Sequence, residues 1–257
     1  MHQTTDFSPP ADALADRVVL VTGAHGGLGA AASLAAAQAG ATVVLLGRRV
    51  PKLNRLYDRI VESGGAEPAI YPLDMEGATP ADYEEMAQRI ESECGRLDGI
   101  LHAAAEFSGL TPLSLTEPQD WLRAIHVNLS APLLLTQACL PLLKQAPDAA
   151  IVFVQEPLSQ VGRAYWGGYG VAKHGLNGLV GVLRHEYEGT PLRISALQPG
   201  PMRTPLRQRA WSAEDPARWP GPEVYAPACV HLLAGLASPA TDDDGLLVVR
   251  HDPPNPH

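Results

Sequence analysis

The segment Val18–Gly29 constrains this chain more than any other. Val18–Val21 is apolar without alternation, as in a strand buried on both faces, and it runs straight into Thr22-Gly23-Ala24-His25-Gly26-Gly27-Leu28-Gly29. An Ala-rich helix is expected to about Ala39, stopped by Gly40. The glycines are spaced GxxxGxG. The first permits a tight turn; the others let backbone approach a phosphate and let helix pack on strand. The helix N-terminus then offers free N–H groups and a positive dipole end to a pyrophosphate.

The alternation continues along the chain. Thr42–Leu46, Pro68–Leu73, Gly99–Ala104, Ile151–Val154, Leu192–Leu197 and Leu246–Val249 read as further strands. Helices are expected over 52–63, from Thr79-Pro80-Ala81-Asp82 to near Gly95, and from about Trp166 to Tyr187. Thr116-Glu117-Pro118-Gln119 resembles a capping box opening a long helix, bent or broken near Pro132 and Pro141. The expected fold is α/β: one doubly wound Rossmann domain over 17–257, with a seven-stranded parallel sheet flanked by helices on both faces. Residues 1–16 are polar with Pro9 and Pro10 and read as a flexible arm. Residues 201–222 form the longest irregular stretch, of a length that is usually functional or mobile.

Composition limits the partners. The 257 residues carry a net charge of -9, which repels nucleic-acid backbones and anionic lipid heads. The three cysteines, Cys94, Cys139 and Cys229, form no CxxC, so thiols in a reducing, cytoplasmic compartment are expected. No uninterrupted apolar run reaches membrane-spanning length. The nine histidines show no metal-ligand spacing, and Asp242-Asp243-Asp244 lacks the alternation of a calcium loop. No metal, nucleic acid or membrane is expected.

Thr22-Gly23-x-x-x-Gly27-Leu28-Gly29 resembles the TGxxxGxG signature of the short-chain dehydrogenase/reductase family. Asp74 matches its aspartate near the adenine, and Pro199-Gly200 its PG motif beside the nicotinamide. Gly162-Arg163-Ala164-x-Trp166-Gly167 looks most like the bacterial YciK-type branch. The resemblance implies hydride transfer between a nicotinamide and a carbonyl or secondary alcohol, and assembly as a homodimer or homotetramer through the faces of 120–144 and 166–187. It places Gly23, His25, Gly27, Leu28, Gly29, Arg48, Asp74, Met75, Ala103, Ala104, Tyr169, Lys173, Pro199, Gly200 and Thr204 around the dinucleotide. Relatives that prefer NAD usually carry an aspartate at the end of strand two. Here Leu46-Gly47-Arg48-Arg49 lacks that carboxylate, and Arg48 offers a planar donor fork suited to a 2′-phosphate. NADP(H) is therefore expected over NAD(H); the competing reading leaves both arginines solvated. His25 adds charge there only when protonated.

Tyr169 and Lys173 are four apart on one helix face and match the family's YxxxK pair. The resemblance gives Tyr169 the proton transfer and Lys173 the nicotinamide ribose. A free phenol titrates near 10, and a neighbouring ammonium together with the nicotinamide's positive charge favours tyrosinate. Asn128, in His126-Val127-Asn128, matches the family asparagine that supports a water leading to the lysine.

Two stretches depart from the family. Thirteen residues before the tyrosine, where the family has a serine, stands Glu156; the family's NAG reads Ala103-Ala104-Ala105. An ionised Glu156 opposes tyrosinate. It can instead be protonated and donate, or a shifted loop can deliver Ser159, Gln155 or Tyr165. Trp211 and Trp219, with Arg203, Arg207, Arg209 and Arg218, read either as a substrate lid or as a locally packed surface loop. The expected function is an NADP(H)-dependent oxidoreductase of a small carbonyl or alcohol. The alternative is a dinucleotide-binding regulatory partner whose catalysis is attenuated.

Overall fold

The computed structural model describes residues 7–236 and 246–249; residues 1–6 of the expected arm and the Asp242–Asp244 triplet lie outside them. Strands β1 (Val18–Thr22), β2 (Thr42–Gly47), β3 (Ala69–Pro72), β4 (Gly99–His102), β5 (Ala149–Val154), β6 (Leu192–Gln198) and β7 (Leu246–Val248) form one sheet, ordered β3-β2-β1-β4-β5-β6-β7. Every neighbouring pair is parallel. The connecting helices are α1 (Gly27–Gln38), α2 (Val50–Glu62), α3 (Pro80–Cys94), α4 (Pro118–Ile125), α5 (Ala131–Leu143), α6 (Leu158–Val161), α7 (Gly167–Glu186), α8 (Pro205–Ala210) and α9 (Ala226–Ala234).

The unbroken apolar strands are explained by two cores. Val19 and Val21 of β1 and Val43 and Leu45 of β2 pack with α1, α2 and α9 on one face. Val18, Leu20, Val44 and Leu46 pack with α3, α5 and α7 on the other. Strand period two thus sends successive apolar residues of β1 and β2 into alternate cores, each Val or Leu contributing roughly 1.5–3 kcal/mol of burial. The chain leaves β1 for β2 and β3, then returns to lay β4 on the other side of β1. The loops after β1 and β4 diverge there, and this switch point opens a crevice at the carboxyl ends of the strands.

Five local expectations change. The arm is packed from Phe7 onward: Leu14 is fully buried, its N–H donates to Ala39 O at 2.8 Å, and Phe7 meets the His231 ring edge-on. The stretch 201–222 contains α8 and a 3₁₀ turn at Pro216–Arg218, and a second such turn begins at Pro222. Helix α9, absent from the sequence reading, is the crossover that parallel strands β6 and β7 require. The capping box forms at Thr79, where Asp82 N–H donates to Thr79 Oγ1 and Thr79 N–H to Asp82 Oδ2. At Thr116 there is none: its hydroxyl donates to Pro112 O, and the N-cap of α4 is Glu117.

The fifth concerns α4 and α5. They are continuous through a π turn at His126–Ser130, in which Ala131 N–H reaches His126 O, and Pro141 sits inside α5 without breaking it. Pro118–Leu143 is consequently long and apolar enough to cross a membrane by length and composition alone. Its Leu135, Cys139, Leu142 and Leu143 are spent in the core against the sheet.

Candidate active site

The crevice is a cavity of about 600 Å³. Its wall at β1 is made by absence of side chains. Gly23 has φ +66, and a Cβ there stands 2.8 Å from Ala104 Cα; a Cβ at Gly29 strikes Gly23 O. Helix α1 starts without a side-chain cap and without an acid in its first turn, so its N–H groups face the cavity unclaimed. Gly27, at φ +37, lets Thr204 of the opposite wall approach, its Cγ2 3.2 Å from where a Cβ would stand. Thr204 itself caps α8, accepting from Arg207 N–H. The Thr22 hydroxyl oxygen accepts from the N–H groups of Ala103 and Ala104, both at 3.1 Å, and so pins the altered alanine stretch beside the glycine turn.

The end of β2 is basic. His25, Arg48, Arg49 and Lys52 line the cavity together, with Asp74 and Met75 opposite. Arg49 is the N-cap of α2 and Lys52 lies in its first turn, which holds no acid. Cations at a helix N-terminus oppose the dipole. Lys52 was missed in the sequence, although that misplaced charge was the available signal. The Arg48 guanidinium stands 3.7, 3.8 and 3.7 Å from Asp74, Glu76 and Glu106, loose pairs that leave its donor fork unsaturated. Gly47 has a reason the sequence did not disclose: a side chain there collides with the His25 ring. Among the described residues His25 Nδ1 has no partner, and burial followed by Arg49, Lys52 and Arg48 holds its pKa below the ordinary value.

At the far end β5 and α7 bring the reactive side chains together. The Tyr169 hydroxyl donates to Glu156 Oε1 at 2.9 Å. Lys173 Nζ donates to Val154 O at 2.8 Å and lies 5.7 Å over the Tyr169 ring. Burial, then the Glu156 carboxylate, pushes the Tyr169 phenol well above its ordinary value. In the free protein burial and Glu156 therefore oppose tyrosinate, and the expected help from a nicotinamide's charge belongs to the cofactor-bound state. Burial raises Glu156, against Lys173, the Tyr169 hydroxyl and Arg207; burial lowers Lys173 to about 8, against Glu156.

Asn128 lies inside the π turn. Its Nδ2 donates to Ala124 O and Glu106 O, and its Oδ1 accepts from Glu106 N–H. It thus ties helix to loop and does not itself line the cavity; Gly29 likewise stands behind the wall. Pro199, Gly200, Leu28, Ala103 and Ala104 do line it. Trp211 and Trp219 flank the Arg207 guanidinium at 4.3 and 4.7 Å, and Glu214 grips Arg207 at 2.8 and 3.0 Å.

A glycine cradle under an uncapped helix, at the switch point of a seven-stranded parallel sheet and facing a Tyr–Lys pair, defines a dinucleotide-binding oxidoreductase fold. The comparisons with known proteins make this specific. The short chain dehydrogenase family model matches residues 17–215. Oxidoreductase YciK of Escherichia coli K12, itself uncharacterised, is 38% identical over 88% of this chain and 90% of its own. The solved structure of E. coli YciK overlays with a TM-score of 0.86 at 36% identity, covering 95% of this chain and 98% of that one. A protein of E. coli CFT073 described as a short chain dehydrogenase complexed with NADPH overlays at 0.87, with 36% identity over 95% of this chain and all (100%) of that one. The chain belongs to the short-chain dehydrogenase/reductase family and is an oxidoreductase.

Proposed function

We propose that the chain is an NADP(H)-dependent oxidoreductase moving a hydride to or from a small molecule with a polarised double bond, a carbonyl in the first instance. The carrying observation is that one cavity joins the uncapped α1 N-terminus, the basic edge of β2 and the Tyr169–Glu156–Lys173 cluster. A bound nicotinamide supplies the hydride. The chain's own residues do the rest. The α1 N–H groups and Gly27 hold the pyrophosphate, and Asp74 and Met75 flank the adenine. Arg48, with Arg49, Lys52 and His25, holds the 2′-phosphate. Lys173 holds the nicotinamide ribose, with Pro199 and Gly200 beside the ring. Tyr169 gives or takes the proton at the substrate oxygen, and Asn128 fixes the loop that closes this end.

NADP(H) is supported by the absence of a carboxylate at position 47 and by two similar structures described as complexed with NADP and NADPH. Exposed Leu122 on α4 and Val171 and Val182 on α7 support a homodimer or homotetramer through those helices. The test is a titration of NADPH and NADH followed by nicotinamide fluorescence. NADPH is expected to bind tighter. Failure of both to bind removes the oxidoreductase reading.

A further inference from the structure

Glu156 changes what the reacting end of the cavity can recognise. A carbonyl substrate needs hydrogen-bond donors aimed at its oxygen, because negative charge develops there as hydride arrives. The donors the family relies on here are each engaged within the protein. The Tyr169 proton points at Glu156 Oε1, Lys173 is tied to Val154 O, and the Asn128 amide is spent on Ala124 O and Glu106 O. Where the family has a neutral donor, Glu156 puts an acceptor into the wall. Glu156 lines it and, among the described residues, takes a single hydrogen bond, from Tyr169; its Oε2 has no protein donor. The nearby cations do not fill that need. Arg207 is gripped by Glu214 between two indoles, and Lys173 Nζ bonds to a backbone oxygen. A half-buried carboxylate with one donor is under-satisfied, and a ligand N–H⁺ satisfies it with a charge-assisted bond.

We infer that the substrate's reacting carbon carries a protonated nitrogen rather than an oxygen: the site takes an iminium, or in reverse a secondary amine. This rests on the oxidoreductase reading above; it changes the atom doubly bonded to carbon and, with it, relieves Tyr169 of the proton transfer. The charges then run the favourable way. The substrate arrives as a cation beside Glu156 and is neutralised in the reaction. The iminium carbon gains a C–H bond, and the C=N π pair becomes the nitrogen lone pair. The two electrons and the hydrogen come from a reduced nicotinamide, which is oxidised. Nitrogen keeps its proton, so no proton has to leave Tyr169, in line with the burial and Glu156 contact that hold that phenol protonated. The family's serine offers a neutral donor instead, and Glu156 is the single residue that inverts the preference.

The experiment measures binding as well as turnover, on the full chain. Calorimetry compares tetrahydroisoquinolinium with its neutral counterpart tetralol for the native protein, Glu156→Gln and Glu156→Ser, each checked for NADPH binding. The native protein is expected to favour the cation by roughly ten-fold or more, and both variants to lose that preference. In NADPH consumption, the native protein is expected to reduce dihydroisoquinoline faster than tetralone, and Glu156→Ser to reverse the order. Three results overturn the inference. One is a native protein that binds NADPH but shows no preference for the cation. Another is a preference that survives Glu156→Gln. The last is tetralone reduction that exceeds imine reduction and is abolished by Glu156→Gln, which makes Glu156 an acid donating to a carbonyl. Loss of NADPH binding by the native protein sinks the underlying oxidoreductase reading instead, so the two failures are told apart.

Discussion

The half of the cavity beside β1 and β2 and the half beside β5 and α7 are made of different material. The first is mostly backbone: Gly23, Gly27 and Gly29 clear space, an uncapped helix presents N–H groups, and the cations stand at a helix start. The second is side-chain chemistry, in which burial first, and then Glu156 acting on Tyr169 and Lys173, sets protonation. Backbone shape tolerates few substitutions, so a glycine pattern reports it well. Side-chain chemistry turns on single residues, and one exchange at position 156 redirects it while the fold stays intact. The two halves should therefore be separable by mutation.

The largest separation is expected from Tyr169→Phe. Removing the hydroxyl takes away proton transfer to a carbonyl and the one donor to Glu156, and carbonyl turnover is expected to fall by about 10²–10⁴-fold. NADPH affinity should stay within a factor of about two, since the phenyl ring keeps its contacts with Phe107 and Trp166. A parallel loss of NADPH binding in the fluorescence titration breaks the division into halves.

Gly23→Val probes the other side. A β-branched residue at φ +66 pays roughly 1–2 kcal/mol for its backbone and meets Ala104. NADPH affinity is expected to drop about 10²-fold or more, while circular dichroism shows the sheet retained. A variant that binds as tightly as the native protein removes the glycine cradle from the argument. Arg48→Ala is milder. Arg48 is two-fifths exposed and already shared among three carboxylates. About a ten-fold loss for NADPH with little change for NADH is expected, shrinking as salt is raised. Equal loss of both cofactors places Arg48 on the adenosine rather than on the 2′-phosphate.

Legibility in the sequence followed the same division. Most strands were readable because they are apolar runs with residues going to both cores, and the first glycine turn because only glycine fits there. The position of Glu156 was readable by counting back from Tyr169. Helix α9 was not, since Ala226–Ala234 is apolar nearly all round, short, and carries Pro227 in its first turn, so it shows no helical period. The need for glycine at 47 depends on a ring 22 positions away in sequence, and no local pattern encodes that contact. Nor does spacing reveal a donor's direction. That the Tyr169 proton is aimed at Glu156 emerges only when β5 and α7 are packed together.

The smallest effect is thermodynamic and tests whether Lys173 and Glu156 act as described in the unliganded protein. Lys173 titrates at about 8 in the fold against an ordinary 10.5. Between those values the unfolded chain holds a proton that the folded chain has released. Stability from this group therefore rises with pH from about 8 to 10.5, by at most about 1.4 kcal/mol per pH unit, and its burial cost is fully present below 8. Glu156 works in a lower window with the opposite slope. Its folded pKa lies above the ordinary 4.5, so the fold holds the extra proton and stability falls as pH climbs through that interval. The buried Tyr83 and Tyr225, raised to about 12, also favour the fold's protonated form and pull stability down in strongly alkaline solution. The native curve alone is therefore ambiguous, and the difference from Lys173→Met is the quantity to measure. Urea denaturation at intervals from pH 7 to 10 should show Lys173→Met gaining on the native protein below about pH 8 and losing that advantage above it. A difference that stays flat across the window means that Lys173 is not desolvated. Its bond to Val154 O would then be a surface contact, and the reacting half of the cavity would be as open as the cofactor half.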